Sequence, residues 1–252
     1  MKHSIDGKHE KHKVLTEAAM TLNASAMNGV LNAYYSWNLA VFSIMKKSRI
    51  LDIGCGPGLY FNEIMSYSPS FYLATDYSDE YVKQTELLFN NTSACAARQF
   101  NLFSPDIPKW MDEKFDYVFC FDVIEHLQDD KQALQNLYRI SKSTGACLLL
   151  RVPALQAVYG HNDEVIGHYR RYSMKSLYAS LLDCGFKIEM MRYQNIAGLL
   201  PWFIIGRIRK RALAVSSSEG KLFNYAVPVL RFLESIIPPP LGLSLYAKCV
   251  LQ

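Results

Sequence analysis

Three groups of residues in this chain of 252 have types and spacings suited to chemistry. The first is Gly54-Cys55-Gly56-Pro57-Gly58, which ends the apolar run Arg49 to Ile53 and precedes a helical pattern over Leu59 to Met65. Backbone N–H groups in such a turn point outward at a helix N-terminus, so they can hold an anionic ligand group at close range. Dinucleotide-binding turns read G-x-G-x-x-G. Here Leu59 stands at the third glycine's place and Gly58 comes one step early. The second group is Asp76, just past the run Phe71 to Thr75, where a carboxylate can accept both hydroxyls of a ribose. Turn and acid together suit a ligand that carries a nucleoside. The third group is polar: Asp122, Glu125 and His126, then His161, then His168, Arg170, Arg171 and Tyr172 in the string GHYRRY. An imidazole beside a bound molecule can take its proton, and His126, directly after an apolar run, is best placed to do so. It could equally start a helix and bond a neighbouring backbone group. The arginines could grip an anionic or aromatic molecule, or pair internally with Asp163 and Glu164.

These residues need a frame. Tyr117 to Phe121 and Ala146 to Val152 are continuous apolar runs of strands buried on both faces, with Lys131 to Ile140 helical between them. Asp79 to Phe89 reads as a further helix and Ala97 to Phe100 as a third strand. Ser173 caps a helix over Met174 to Cys184, Gly185 ends it, and strands follow at Phe186 to Tyr193 and Leu243 to Leu251. Strands alternating with helices imply an α/β fold with a parallel sheet wound on both sides. The expected organisation is a tail with helices over 1–45, an α/β core over 46–194, a helical cap inserted at 195–240, and a last core strand over 241–252. Residues 14–45 place Ala18, Leu22, Ala26, Val30, Ala33, Trp37 and Val41 at helical spacing. The cap carries IAGLLPWFIIG, the cluster Arg207, Arg209, Lys210 and Arg211, and Pro238-Pro239-Pro240. That order of apolar and basic residues is one of an interfacial anchor, and it also suits a lid or a dimer helix.

Composition excludes several classes. Half the residues are hydrophobic and 20% charged, which rules out a disordered chain. A net charge of +4 lacks the basic footprint of a dedicated nucleic-acid binder, so no nucleic acid is expected. Six cysteines stand singly without a C-x-x-C pair, as expected of reduced thiols in the cytoplasm. The polar N-terminus, with His3, His9 and His12, has no secretory pattern, and no apolar stretch is long enough to span a bilayer.

LDIGCGPG at 51–58, the acid Asp76 and FDYVFCFDVIEHLQDD at 115–130 resemble the class I S-adenosylmethionine-dependent methyltransferases. Residues 152–188, ending in GHYRRYSMKSLYASLLDCGFKI, resemble a later stretch of one subgroup, so the likeness runs from about Tyr34 to the end. The resemblance implies a Rossmann-like, doubly wound, seven-stranded sheet, mostly parallel with the last strand antiparallel. S-adenosyl-L-methionine would lie across the carboxyl ends of the first and fourth strands. Matched by position, Gly54, Cys55, Gly56 and Gly58 would wrap the methionine moiety and Asp52 would support the turn or the amino group. Asp76 would hold the ribose, Tyr77 would pack on the adenine, and Asn101 and Leu102 would touch its edge. Asn101 stands where relatives often have Asp; an amide can still accept from the adenine amine. Asp122 would face the methyl-transfer centre, with His126 and His168 as catalytic candidates.

The implied activity is methyl transfer by in-line displacement to a small or lipid-like acceptor. Tyr34, Tyr35, Trp37, Tyr159, Trp202 and Phe203 could line its pocket, favouring an apolar or aromatic molecule. Contact with a membrane surface and a homodimer are compatible with the cap. Asp122-x-x-Glu125-His126 has the ligand types of a divalent-metal site and resembles an element with which some methyltransferases hold a metal. Similar strings occur on this fold without one, and no metal is assigned. Two other classes compete: a nicotinamide-dependent oxidoreductase, for which Tyr138 and Lys142 have a suitable spacing, and a non-catalytic S-adenosylmethionine-binding scaffold at a membrane.

Overall fold

A computed structural model of the chain describes residues 31–90, 92–105, 108, 113–208 and 217–252. The N-terminal histidines, Ala18, Leu22, Ala26 and Val30, and the basic residues 209–211 lie outside the described residues. The elements, in chain order, are α1 (Asn32–Ala40), β1 (Arg49–Ile53), α2 (Phe61–Met65), β2 (Phe71–Asp76), α3 (Asp79–Leu88), β3 (Cys95–Gln99) and β4 (Tyr117–Phe121). A 3-10 turn, Ile124–His126, leads to α4 (Asp130–Thr144) and β5 (Cys147–Pro153), and a second, Gln156–Val158, to α5 (His161–Val165), α6 (Met174–Asp183) and β6 (Phe186–Gln194). The chain ends in α7 (Leu199–Phe203), α8 (Ser217–Ile236) and β7 (Ser244–Leu251).

Local signals set the boundaries. The Ser78 side chain accepts the Tyr81 N–H at the start of α3, and Ser173 accepts the Ser176 N–H at the start of α6. Asp129 caps α4, and Gly145 ends it in the left-handed conformation at φ 75°. β4 is buried along its whole length, the pattern of a strand covered on both faces.

The seven strands run β3-β2-β1-β4-β5-β7-β6. β7 is antiparallel to both neighbours, and the other pairings are parallel. This is the doubly wound sheet with antiparallel last strand expected from the motifs. On one face, Leu134, Leu137 and Ile140 of α4 and Leu177 and Leu181 of α6 pack on the sheet. On the other, Leu39 and Phe42, Phe61 and Ile64, and Val82 and Phe89 do so. The chain winds from β1 outward to β3, then returns to the far side of β1 with β4. That reversal opens a crevice at the carboxyl ends of β1 and β4, where open α/β sheets bind ligands. α8 lies beside α1: the Asn224 side chain accepts the Ala33 N–H at 2.9 Å, and the Phe223 and Tyr34 rings stand 5.6 Å apart. No described helix is long and apolar enough to cross a membrane.

Candidate active site

A cavity of about 420 Å³ opens in this crevice. Its floor is the glycine turn. The N–H groups of Gly54 and Cys55 both donate to the Thr75 carbonyl, at 2.7 and 2.9 Å, which ties the turn to the end of β2. The Asp76 carboxylate locks the same junction: one oxygen accepts the Gly56 N–H at 2.9 Å and the other the Ser78 N–H at 2.8 Å. The Thr85 hydroxyl of α3 donates to the Gly56 carbonyl at 2.9 Å. Two glycines are demanded for different reasons. Gly54 has φ 78°, and a Cβ there would lie 2.4 Å from a methyl of Val123, so it is required by packing. Gly56 has φ 54° and open space where its Cβ would point, so it leaves room for a ligand. Gly58 sits against Thr85 and Leu88, away from the cavity.

Asp52 lies buried beneath the turn, accepting the Tyr72 hydroxyl at 2.8 Å. Burial pushes its carboxyl up to about 7, the Tyr72 hydrogen bond opposing and the Asp76 charge reinforcing the shift. A folded-state value above the ordinary 3.8 means that the protonated acid favours folding. This contribution is complete below pH 3.8 and is lost as the pH rises through about 7. Asp52→Asn, which cannot ionise, should therefore gain in Tm over the parent as the pH rises between these values. One pKa unit is about 1.4 kcal/mol, so the relative gain should reach a few kcal/mol. Thermal melts across this range check it, and a pH-independent difference would contradict the shift.

The far wall is built around an ion pair that the motifs did not reveal. Asp122, at the end of β4, has φ 55° and pairs with the Arg151 guanidinium from β5. Arg151 also donates to the hydroxyls of Tyr246 at 3.0 Å, Tyr34 at 2.7 Å and Ser244 at 2.9 Å. Tyr246 donates in turn to the Asn38 side-chain oxygen of α1 at 2.7 Å, so the network joins the sheet to α1. The only sequence signal for this was one arginine within the apolar run ACLLLRV. Tyr60 and Tyr81, also unforeseen, line the cavity.

Two histidines complete the wall. The rings of His126 and His168 meet edge to face at 4.6 Å. Burial first, then repulsion from His168, pushes His126 down to about 3, against a hydrogen bond to the Gly167 backbone. His168 is also lowered, by burial, although its Nδ1 lies 3.0 Å from Asp163. Asp163 receives Arg171 Nε at 2.7 Å and the Gly160 N–H at 3.0 Å as well. The Arg171 guanidinium lies over the Trp202 ring at 4.8 Å. Arg170 pairs with Asp130, and Tyr172 donates to the same carboxylate at 2.8 Å. GHYRRY thus serves largely as an internal network. His161 pairs with Glu164, away from the cavity lining. Glu125 is wholly buried, and neither of its carboxylate oxygens has a hydrogen-bond partner among the described residues. Burial pushes its carboxyl up to about 8.

Of the residues singled out from the sequence, the fold brings Gly54, Cys55, Gly56, Asp122, His126, His168 and Arg171 to the cavity wall. Asp52 and Asp76 support the turn from behind. Tyr77, 55% exposed, lies beyond the cavity at the end of β2. Asn101 accepts the Phe103 N–H at 2.9 Å and holds its own loop. Leu102 is buried in the core, its carbonyl accepting from Asn136 at 2.9 Å. Tyr34, Tyr35 and Trp202 line the cavity, whereas Trp37, Tyr159 and Phe203 do not. Tyr138 packs edge-on against Phe186 at 5.1 Å, part of the α4 face and not of the site.

Residues 51–149, from β1 to β5, match a family model described as a methyltransferase domain. A tRNA U34 carboxymethyltransferase of Campylobacter lari is 32% identical over 106 residues, 42% of this chain and 35% of that one. A ubiquinone biosynthesis O-methyltransferase of Xanthomonas oryzae pv. oryzae is 26% identical over 194 residues, 71% of this chain and 76% of that one. The matched part spans only 35–39% of the length of the first curated relatives. Among solved structures, a chain from a complex of the Haloferax volcanii Trm112 methyltransferase activator with a methyltransferase superposes with a TM-score of 0.62. The two are 14% identical, over 93% of this chain and 95% of that one.

Proposed function

We propose that this chain, whose residues 51–149 carry the methyltransferase-domain pattern, is an S-adenosylmethionine-dependent methyltransferase acting on a small or lipid-like acceptor. One observation carries the reading. The matched segment contributes the glycine turn, Asp76 and the end of β4, and these meet at the reversal point of a sheet with this domain's topology. When bound, S-adenosylmethionine supplies a methyl group already activated on a sulfonium. The chain's part is to bind, align and exclude water, because holding donor and acceptor in line removes most of the entropic barrier. Gly54, Cys55 and Gly56 offer the close backbone approach for the amino-acid end, and Asp76 offers carboxylate oxygens to the ribose. Tyr77, Asn101 and Leu102, which follow β2 and β3 and lie outside the cavity lining, are assigned to the adenine side. Tyr34, Tyr35, Phe121 and Trp202 wall the space left for an apolar or aromatic acceptor. Where that acceptor must lose a proton, His126 and His168 are neutral lone-pair donors at the wall.

A small cavity walled in part by aromatic rings favours a single small molecule over a polynucleotide, and a net charge of +4 agrees. A cytoplasmic setting is a further part of this proposal, with a lid, a pairing surface for a second copy and membrane contact as alternative roles of the cap. The test is a melting experiment with S-adenosylhomocysteine and, separately, reduced nicotinamide dinucleotide. Stabilisation by the former alone is expected, since only a ligand of the folded state raises Tm. Stabilisation by the nicotinamide alone would replace methyl transfer with oxidoreduction.

A further inference from the structure

α8 turns large apolar side chains away from the body of the protein. Val227 and Glu234 are buried where the helix rests on the fold, and Phe223 meets the Tyr34 ring on that side. Tyr225, Val229, Phe232, Leu233 and Ile236 lie on the opposite side, and Ile237 follows them; all six are exposed, Tyr225 to 82%. Steps of four, three, one and three residues are those of an amphipathic stripe. A surface helix ordinarily presents such a stripe to the core, whereas this one faces outward and stays exposed among the described residues. Charge is concentrated in the same part of the chain. Over 195–240 there are six Lys and Arg against two Asp and Glu, so the cap carries the whole net charge of +4 and the rest of the chain is balanced. Glu234, one of the two acids, is turned inward, where its carboxylate accepts the Asn195 and Ile196 N–H groups at 3.0 and 2.9 Å. No other acid occurs between Phe223 and Ile237, and Arg231 is exposed.

We propose that the outward face of α8 docks on an anionic lipid surface. This selects one of the roles open to the cap, and it does not rest on the methyltransferase reading. An apolar stripe on one side of a helix, basic residues around it and no described helix able to cross a bilayer are the features of a helix lying in the plane of a membrane interface. The rings of Tyr225 and Phe232 would enter with the aliphatic side chains, and the cationic residues of the cap would meet the headgroups. Charge favours a bilayer over a second copy, because two copies joined through this face would bring two caps of charge +4 together. An anionic surface turns the same charge into attraction. The face differs from the one that the run IAGLLPWFIIG suggests: Trp202 of that run turns to the cavity, and its indole donates to Asp163 at 3.3 Å.

The full-length protein is floated with vesicles of phosphatidylcholine and, separately, of phosphatidylcholine with about 30% phosphatidylglycerol. The parent should partition at least tenfold more strongly onto the anionic vesicles, and salt at about 0.5 M should remove most of the difference. Phe232→Ser combined with Ile236→Ser should weaken partitioning at least tenfold, while Leu87→Ser, on the exposed side of α3, should leave it unchanged. All three side chains are exposed, and melting curves confirm that the variants fold. No flotation of the parent with anionic vesicles, or equal flotation of parent and double variant, would overturn the proposal. So would a parent dimer, seen by sedimentation, that the double variant dissociates without any vesicle binding; the face would then pair two copies. S-adenosylhomocysteine is titrated against parent and double variant by calorimetry and should bind both alike. Flotation without binding of this nucleoside would leave the docking face standing and remove the transferase reading; the nucleoside without flotation would do the reverse.

Discussion

Asp76→Ala is expected to weaken S-adenosylhomocysteine binding by about a hundredfold or more, measured by calorimetry. A hydrogen bond to a charged acceptor contributes about 1.5–3 kcal/mol, and a ribose diol would make two to this carboxylate. Losing about 3 kcal/mol or more corresponds to at least two decades in Kd. The same carboxylate holds the Gly56 and Ser78 N–H groups, so its removal also loosens the turn that must close on the amino-acid end. Asp76→Asn keeps one carbonyl acceptor and should fall between the two. Binding by Asp76→Ala within threefold of the parent, with an unchanged melting curve, would show that the nucleoside does not rest on this residue.

The second large effect concerns stability. Arg151→Met keeps the aliphatic stem but strands Asp122 and leaves the hydroxyls of Tyr34, Tyr246 and Ser244 without their donor. Breaking a fully buried ion pair from one side costs about 3–5 kcal/mol; the Asp122 side chain is 35% exposed, so solvent lowers the cost here to about 2–3 kcal/mol. For a chain of this size that lowers Tm by up to roughly 10 °C. The charge left alone is the main cost, so Arg151→Met combined with Asp122→Asn should recover part of the loss. A double-mutant cycle by thermal or urea unfolding measures the coupling. Additive losses would mean that the pair does not act as a unit.

Periodicity and turn chemistry were sufficient for the frame. The runs RILDI and YVFCF became β1 and β4 at the expected residues, and Ser173 and Gly185 acted as a cap and a stop. Such signals are local, and a strand buried on both faces can be little but apolar. The glycine turn was legible because Gly54, Gly56 and Gly58 all take left-handed backbone angles that most side chains resist. The opposite wall was not. Arg151 looked like an impurity in an apolar strand, because its four partners come from α1, β4 and β7, far away in the chain. GHYRRY looked like a substrate grip because charged residues next to one another do not announce their partners. Asp163 and Asp130 claim most of them. Tyr138 had the spacing of a catalytic tyrosine, but Phe186 and the bend at Gly185 claimed its face.

One backbone angle bears on how mutational surveys of this protein should be read. Position 122 is left-handed, a conformation that Asn and Gly tolerate, that costs most other side chains about 1–2 kcal/mol, and that β-branched ones resist most. A saturation library selected for growth will therefore narrow to a few residue types there on foldability alone. The informative contrast is Asn against Asp, which share the bend and differ in charge, whereas intolerance of Val or Ile reports only on the shape of the chain.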